Sequence, residues 1–356
     1  MINIANCTKE EFARRSKNSK IICFCAGEKF LELCREFHIT NNIAYVVDNY
    51  KAGKSINIDQ KIIPIKSIDE VGDEIKNCMI IIASNDYAEV VLRQIDMDKR
   101  TENMLVYCPY LLTIREEQMS LDSNNEQVIP KKIHYCWFGN NDMPKQFVQN
   151  IESWKKYCPD YEIIRWDESN YDITKNKYMK QAYENKMWGF VSDYVRVDVV
   201  NQYGGIYLDT DVEVVKSFDE LLNFSMFCGF QNKWQVNFGL GFGAKRNHIA
   251  LRELLSLYEK LEFINEDGTF NKTTCPFYQT QILKQHGLIE NGKIQKLEDA
   301  LVLSEEYFSP INPWGLGWIT DNTFSIHQYV GTWAGDEWNN RDIVRRKFFE
   351  ERLVRI

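Results

Sequence analysis

Short apolar runs at 20–25, 43–47, 61–65, 78–83 and 103–108 alternate with stretches such as 28–37 and 87–95, whose apolar residues recur at helical spacing. Runs of this length and uniformity suit strands buried on both faces, and their alternation with helices is the order of a parallel sheet. The pattern predicts an α/β, Rossmann-like domain over residues 1–112. After its first strand stands Cys25-Ala26-Gly27-Glu28, one glycine where a dinucleotide-binding turn uses three, so NAD is not expected there. Asp48, closing the second run, reads either as a ribose partner or as an ordinary turn aspartate.

A polar stretch at 113–128, with Glu116-Glu117 and Ser123-Asn124-Asn125-Glu126, reads as a linker. A second α/β domain is expected over 129–356. Within it, apolar residues at 191, 194, 195 and 199 give a helix with a buried face. Gly204-Gly205 then breaks the helix into Ile206-Tyr207-Leu208, a short buried strand that ends on Asp209-Thr210-Asp211. Carboxylates at i and i+2 can converge on one point, and hard oxygen ligands suit magnesium or manganese with positions left over for phosphate. Taken alone, the two aspartates also read as turn caps, and Asp193 with Arg196 as a surface ion pair on the preceding helix.

The run Ser192-Asp193-x-x-Arg196, then Gly204-Gly205-x-Tyr207-Leu208-Asp209-x-Asp211, resembles the signature of GT-A glycosyltransferases that carry a DXD sugar-binding region. It is most similar to glycosyltransferase family 32, with its polysaccharide-synthesis and mannosyltransferase-like enzymes, and more distantly to the glucosylating domains of large clostridial toxins. The segment Ile129-Pro130-Lys131-Lys132-Ile133-His134-Tyr135-Cys136-Trp137-Phe138-Gly139 is similar to the opening strand of those domains. The likeness runs from 129 to 338 and does not reach the first domain.

The resemblance implies a GT-A type α/β catalytic domain and a role for each matching residue. Trp137 would stack on the nucleotide base, Asp193 and Arg196 would grip sugar or ribose hydroxyls, and Tyr207 would contact the donor. Asp209 and Asp211 would serve metal and ribose, Asp211 as the more direct ligand. His327, in the closing segment 324–333, would complete the metal shell or touch the diphosphate, and Trp333 would close over the donor as part of a lid. The implied cofactor is Mn2+ or Mg2+, and the implied partners are a nucleotide sugar, UDP-linked in relatives, and a glycan or lipid-linked glycan acceptor. Transfer with retention follows from the same resemblance. The catalytic set is thus Asp193, Arg196, Asp209 and Asp211, although no nucleophile is marked. Core packing remains the plainer role for Trp137 and Tyr207, and a structural role for His327.

Gly239-Leu240-Gly241-Phe242-Gly243 lacks the strand-to-helix order of a nucleotide loop and is expected to be a strand allowing close substrate approach. Asn237 before it either faces the sugar or bonds within a turn. The aromatic loop 310–318 suits stacking on an acceptor glycan or packing on the core.

Composition narrows the setting. A formal charge of -8 argues against a nucleic-acid partner and fits small substrates or neutral glycans. Ten cysteines without a CxxC pair, a polar opening segment and no run of eighteen apolar residues point to a cytoplasmic protein with reduced thiols. Residues 341–356 carry six basic and three acidic side chains among Ile343, Val344, Phe348 and Leu353. They read as a helix packed on its own domain or as a peripheral contact with the inner face of a membrane. Homo-oligomerisation stays open. Two further readings remain beside a transferase: a non-catalytic sugar-nucleotide or glycan-binding scaffold, which would have no need of the aspartate pair, and an oxidoreductase, against which the degenerate glycine turn argues.

Overall fold

The computed structural model describes residues 1–113, 126–331 and 336–356, the side chains of 336–340 excepted. The chain divides into two units. One holds Met1–Thr113 with Asn312–Gly317 and Asn340–Ile356, and the other holds Ile114–Ile311 with Trp318–Asn339.

In the first unit the strands are β1 (Asn3–Asn6), β2 (Ile21–Phe24), β3 (Ile43–Val47), β4 (Ser55–Ile58), β5 (Lys61–Lys66), β6 (Met79–Ile82) and β7 (Leu105–Tyr107). Helices α1 (Lys9–Ser16), α2 (Glu28–Phe37) and α3 (Ala88–Asp96) connect them. The apolar runs read from sequence are the central strands, and β2 and β6 are buried at every position. All pairings are parallel except that of β4, which folds back on β5 as a half-exposed edge hairpin. Asp48 is spent on the turn: its carboxylate accepts from the backbone N–H of Ala26 at 2.9 Å, Tyr50 at 3.1 Å and Lys51 at 3.2 Å.

The second unit has a seven-stranded sheet. Its strands are β8 (Lys132–Cys136), β9 (Glu162–Trp166), β10 (Gly205–Tyr207), β12 (Met226–Gly229), β13 (Phe242–Ala244), β14 (Gln295–Lys296) and β15 (Leu301–Leu303). In space they run β14-β15-β12-β13-β10-β8-β9. β8, β9 and β10 are parallel, and β12 is parallel to β15. Because β13 is antiparallel to both β10 and β12, those two strands also run the same way, so β8, β10 and β12 deliver their C-terminal ends to one edge. Between β10 and β12 lies β11 (Val212–Val214), which pairs with β16 (Ser325–His327) in a small antiparallel sheet. Helices α4 (Lys145–Tyr157), α5 (Lys177–Glu184), α6 (Trp188–Tyr203), α7 (Ile249–Tyr258), α8 (Cys275–Gln285) and α9 (Glu305–Phe308) complete the unit. This mixed, largely parallel α/β arrangement agrees with the expected GT-A type.

Two expectations are revised. Gly239-Leu240 is not strand but the heart of a 3-10 turn, Phe238–Leu240, capped by Asn237 and ended by Gly241 at φ +130; β13 starts only at Phe242. The chain end, read as part of the second domain, completes the first unit instead. After α10 (Asp336–Glu350), β17 (Leu353–Arg355) adds parallel to β1, making the first unit's sheet eight-stranded. Phe348 and Phe349 are buried in that unit's core, whereas Ile343 and Val344 stay exposed. The loop tryptophan Trp314 packs on the same core, 5.2 Å beneath the Arg345 guanidinium. Among the described residues no helix is long and apolar enough to cross a membrane.

Candidate active site

Helix α6 carries apolar residues all around and is buried on nearly every side, so its three charged residues, Asp193, Arg196 and Asp198, are buried as well. A buried charge needs partners. Asp198 finds them in the Tyr171 hydroxyl at 2.6 Å and the Lys175 ammonium. Arg196 finds two carboxylates, with its Nη2 3.2 Å from Asp193 Oδ1 and 3.2 Å from Asp209 Oδ1. Its Nη1 lies 3.5 Å from Cys275 Sγ, and the guanidinium stands 5.1 Å above the Tyr207 ring.

The helix ends at Gly204 (φ +67), and Gly205 (φ +114) starts β10; a Cβ on Gly205 would meet the Lys132 carbonyl oxygen at 2.9 Å. This tight passage brings Asp209 under Arg196. His134, opposite Tyr207 in β8, supports the turn: its Nε2–H donates to the Gly204 carbonyl at 2.8 Å, while Nδ1 accepts from Trp166 Nε1–H at 3.1 Å. Burial lowers the His134 pKa to about 4, so the ring is neutral in this role.

At the end of β10 the Tyr207 hydroxyl donates to Asp209 Oδ1 at 2.9 Å. Two residues on, the Asp211 Oδ1 lies 3.3 Å from His327 Nε2, and its Oδ2 accepts from the Val330 N–H at 3.0 Å. One ligand atom each from Asp209, Asp211 and His327 fall within 4.8 Å of one another. The span across a single cation with bonds of about 2.0–2.3 Å is close to that, so a small contraction would let all three bind one ion. The backbone leaves little freedom here. A Cβ on Gly239 would sit 2.3 Å from Asp209 Oδ2 and 3.1 Å from Arg196 Nη1, so any side chain there would have to displace the carboxylate.

Charge balance at the site is unfavourable as it stands. Two carboxylates share the Arg196 guanidinium, and a third, Asp211, lies against His327. Burial raises the Asp209 pKa, Arg196 opposes the rise and the neighbouring Asp211 adds to it; burial likewise raises Asp193 against Arg196. Burial works against the Arg196 charge, but Asp209 with Cys275, Tyr207 and Asp193 more than restores it, so the guanidinium stays protonated.

Several residues without a motif hold this arrangement. Asn150 of α4 donates to the Thr210 carbonyl at 2.9 Å and exchanges bonds with the Gln328 amide, at 3.3 Å as donor and 3.1 Å as acceptor. Trp154 Nε1–H donates to the Val212 carbonyl at 2.8 Å. Helix α4 therefore fixes both Asp-x-Asp and the closing segment. One signal was available: Asn150 occupies the same helix face as buried Phe147, Ile151 and Trp154, where a polar residue needs a reason. Cys275, at the start of α8 before Pro276, offers no comparable signal.

Of the remaining sequence-derived residues, Trp137 follows β8 at the same sheet edge. Its Nε1–H donates to the Asn141 carbonyl at 2.7 Å, and its ring meets Phe147 edge-on at 5.7 Å. Asn237 is committed to its turn, accepting from Gly239 N–H at 2.7 Å and donating to Gln231 at 3.0 Å. Trp333 lies outside the described residues. The structure thus brings together Asp193, Arg196, Tyr207, Asp209, Asp211 and His327, with Trp137 just beyond the end of β8 and Asn237 capping the turn that holds Gly239.

Residues 144–228, from the start of α4 to β12, match the family described as the glycosyltransferase sugar-binding region containing DXD motif. Residues 144–228 are thus similar to a DXD-type glycosyltransferase region. This region holds Asp193, Arg196, Tyr207 and both aspartates of the motif. The chain is 28% identical over 204 residues to the mannosyl phosphorylinositol ceramide synthase SUR1 of Saccharomyces cerevisiae, 54% of this chain and 53% of that protein. It is 35% identical over 106 residues to the inositol phosphoceramide mannosyltransferase 3 of Schizosaccharomyces pombe, 29% of this chain and 30% of that one. The chain therefore spans about half or less of the length of these relatives. Among solved structures, the PaToxG glycosyltransferase aligns with 44% of this chain and 68% of its own, at 20% identity and a TM-score of 0.35.

Proposed function

We propose that this chain is a divalent-metal-dependent, retaining glycosyltransferase that moves a hexose from a nucleotide sugar, taken as UDP-linked, to a glycan or lipid-linked glycan acceptor in polysaccharide biosynthesis. The observation that carries the reading is the convergence of Asp209, Asp211 and His327 beside a paired Asp193 and Arg196. Two carboxylates and an imidazole suit manganese well, and magnesium through the oxygens. A cation there would offset the surplus negative charge of the site. When bound, such an ion neutralises charge developing on a departing diphosphate.

The chain's own residues supply position. Arg196 and the Tyr207 hydroxyl hold Asp209 Oδ1 from two directions, which fixes the carboxylate before any ligand arrives. Val330 N–H fixes Asp211 in the same way. Asp193, behind Arg196, orients the guanidinium, and with it is assigned to donor hydroxyls. Trp137 presents a ring fixed by its Nε1 bond and is assigned to the nucleotide base. The names of the yeast relatives make mannose a leading candidate for the sugar. A cytoplasmic setting is supported by ten free cysteines, and membrane contact through 341–356 by the exposed Ile343 and Val344 among basic residues.

The test is release of nucleoside diphosphate from a panel of UDP-, GDP- and CDP-sugars with and without manganese. The expected outcome is metal-dependent release from one of them, lowered about a hundredfold or more by Asp211→Ala. No release from any donor, or release indifferent to Asp211, overturns the proposal.

A further inference from the structure

Among the described residues Trp234 is the one exposed tryptophan, at 47%, and the Lys233 ammonium stands 4.9 Å from its ring centroid. It stands on a short hairpin that continues β12: Phe230 bridges Val236, Gln231 N–H donates to the Gln235 carbonyl at 2.9 Å, and Asn237 N–H to the Gly229 carbonyl at 3.0 Å. The tip is ordered by Asn232, whose Oδ1 accepts from the Trp234 N–H at 2.8 Å and the Gln235 N–H at 3.0 Å.

Position makes this ring informative. β12 ends at the same sheet edge as β8 and β10, which present Trp137 and Asp209. In the strand order β12-β13-β10-β8, the hairpin rises two strands from β10, about 10 Å away, on the side opposite Trp137. The hairpin is also linked through hydrogen bonds to the backbone of Asp209. Gln235 accepts from Gln231 at 3.1 Å, Gln231 accepts from Asn237 at 3.0 Å, Asn237 accepts from Gly239 N–H at 2.7 Å, and the Gly239 carbonyl accepts from Asp209 N–H at 3.3 Å.

We infer that the 230–236 hairpin is the acceptor subsite, with Trp234 as the face on which a neutral pyranose of a glycan stacks and the Gln231 and Gln235 amides as partners for its hydroxyls. This rests on the proposed reading of Asp209 and Asp211 as the donor centre. A pyranose carries a patch of C–H on one face and hydroxyls around its rim, and a rigid indole beside side-chain amides matches both. Two strand spacings, about 10 Å, separate β12 from β10, so the hairpin and Asp209 rise from the same sheet edge with one strand between them.

The experiment is binding of the full chain, with manganese and UDP present, to an array of immobilised neutral hexose oligosaccharides. Wild type is expected on a subset of them, with affinity lowered about tenfold by Trp234→Ala and less than threefold by Trp234→Phe. An unchanged thermal midpoint shows that each variant folds. Equal binding by Trp234→Ala and wild type, or no oligosaccharide bound by wild type, overturns the inference. Nucleoside diphosphate release by wild type is read separately, so failure of the donor centre is distinguished from failure of the subsite.

Discussion

Both units place an aspartate just beyond a buried parallel strand, and the two aspartates have different fates. Asp48, after β3, gives its oxygens to three backbone amides and is consumed by its own turn. Asp209, after β10, is held by side chains instead, the Arg196 guanidinium and the Tyr207 hydroxyl, with Asp211 and His327 alongside. Strand ends of an α/β sheet are a common place for ligands, but the location alone confers nothing. What separates the two is whether local backbone has already satisfied the carboxylate.

The strongest way to break this contrast is to remove Arg196. Arg196→Ala leaves Asp193 and Asp209 buried without a counter-charge and is expected to cost about 3–5 kcal/mol in urea unfolding of the second unit. A loss below about 1 kcal/mol would mean that the carboxylates do not depend on it.

Acid should also separate the units. The unfolded His134 takes up a proton near its ordinary 6.5, but the folded ring does so only at about 4. Protonation therefore favours the unfolded chain throughout that window. The contribution is full above pH 6.5, declines as the pH falls and is gone by about 4, amounting to about 3 kcal/mol. Stability measured against pH should be flatter by that amount in His134→Gln, and parallel curves for the two proteins would remove this histidine from the account.

A gentler probe is Gly239→Ala, whose new methyl must displace Asp209. Metal-dependent diphosphate release is expected to fall about tenfold to a hundredfold with little change in folding, because a misplacement of about 1 Å is costly to positioned groups. Activity equal to wild type would show that Asp209 tolerates movement. The smallest effect is assigned to Asp48→Ala, a loss of about 1 kcal/mol from the first unit's turn with diphosphate release unchanged. A loss of activity there would erase the distinction between the two aspartates.

Much of this architecture was legible in the order of residues. Helix α2 falls on 28–37 as its periodicity indicates, and β2, β3 and β6 lie within the apolar runs that mark them, because strands buried on both faces leave an unbroken apolar record. β4 left little trace, being a half-exposed edge strand with polar alternation. β17 left less, since three residues at the end of the chain do not indicate a partner at Ile4. At the site the motif residues could be listed from sequence, but their couplings could not. That Tyr207 donates to Asp209, that Asn150 ties Thr210 to Gln328, and that Cys275 reaches Arg196 all follow from convergence of segments distant along the chain. The turn at Gly239 was misread as strand because a capping asparagine and a glycine at φ +130 outweigh the apolar pattern around them.

The pairing of β17 with β1 has a consequence for biosynthesis. Ile4 and Val106 are made before the second unit, yet strand β17 joins their sheet only when Leu353 emerges, after every residue of that unit has been made. Until then one side of β1 keeps its amide and carbonyl groups unpaired, an open template for any extended chain nearby. Nascent chains stalled before residue 353 should accordingly lean on chaperones more heavily than released ones.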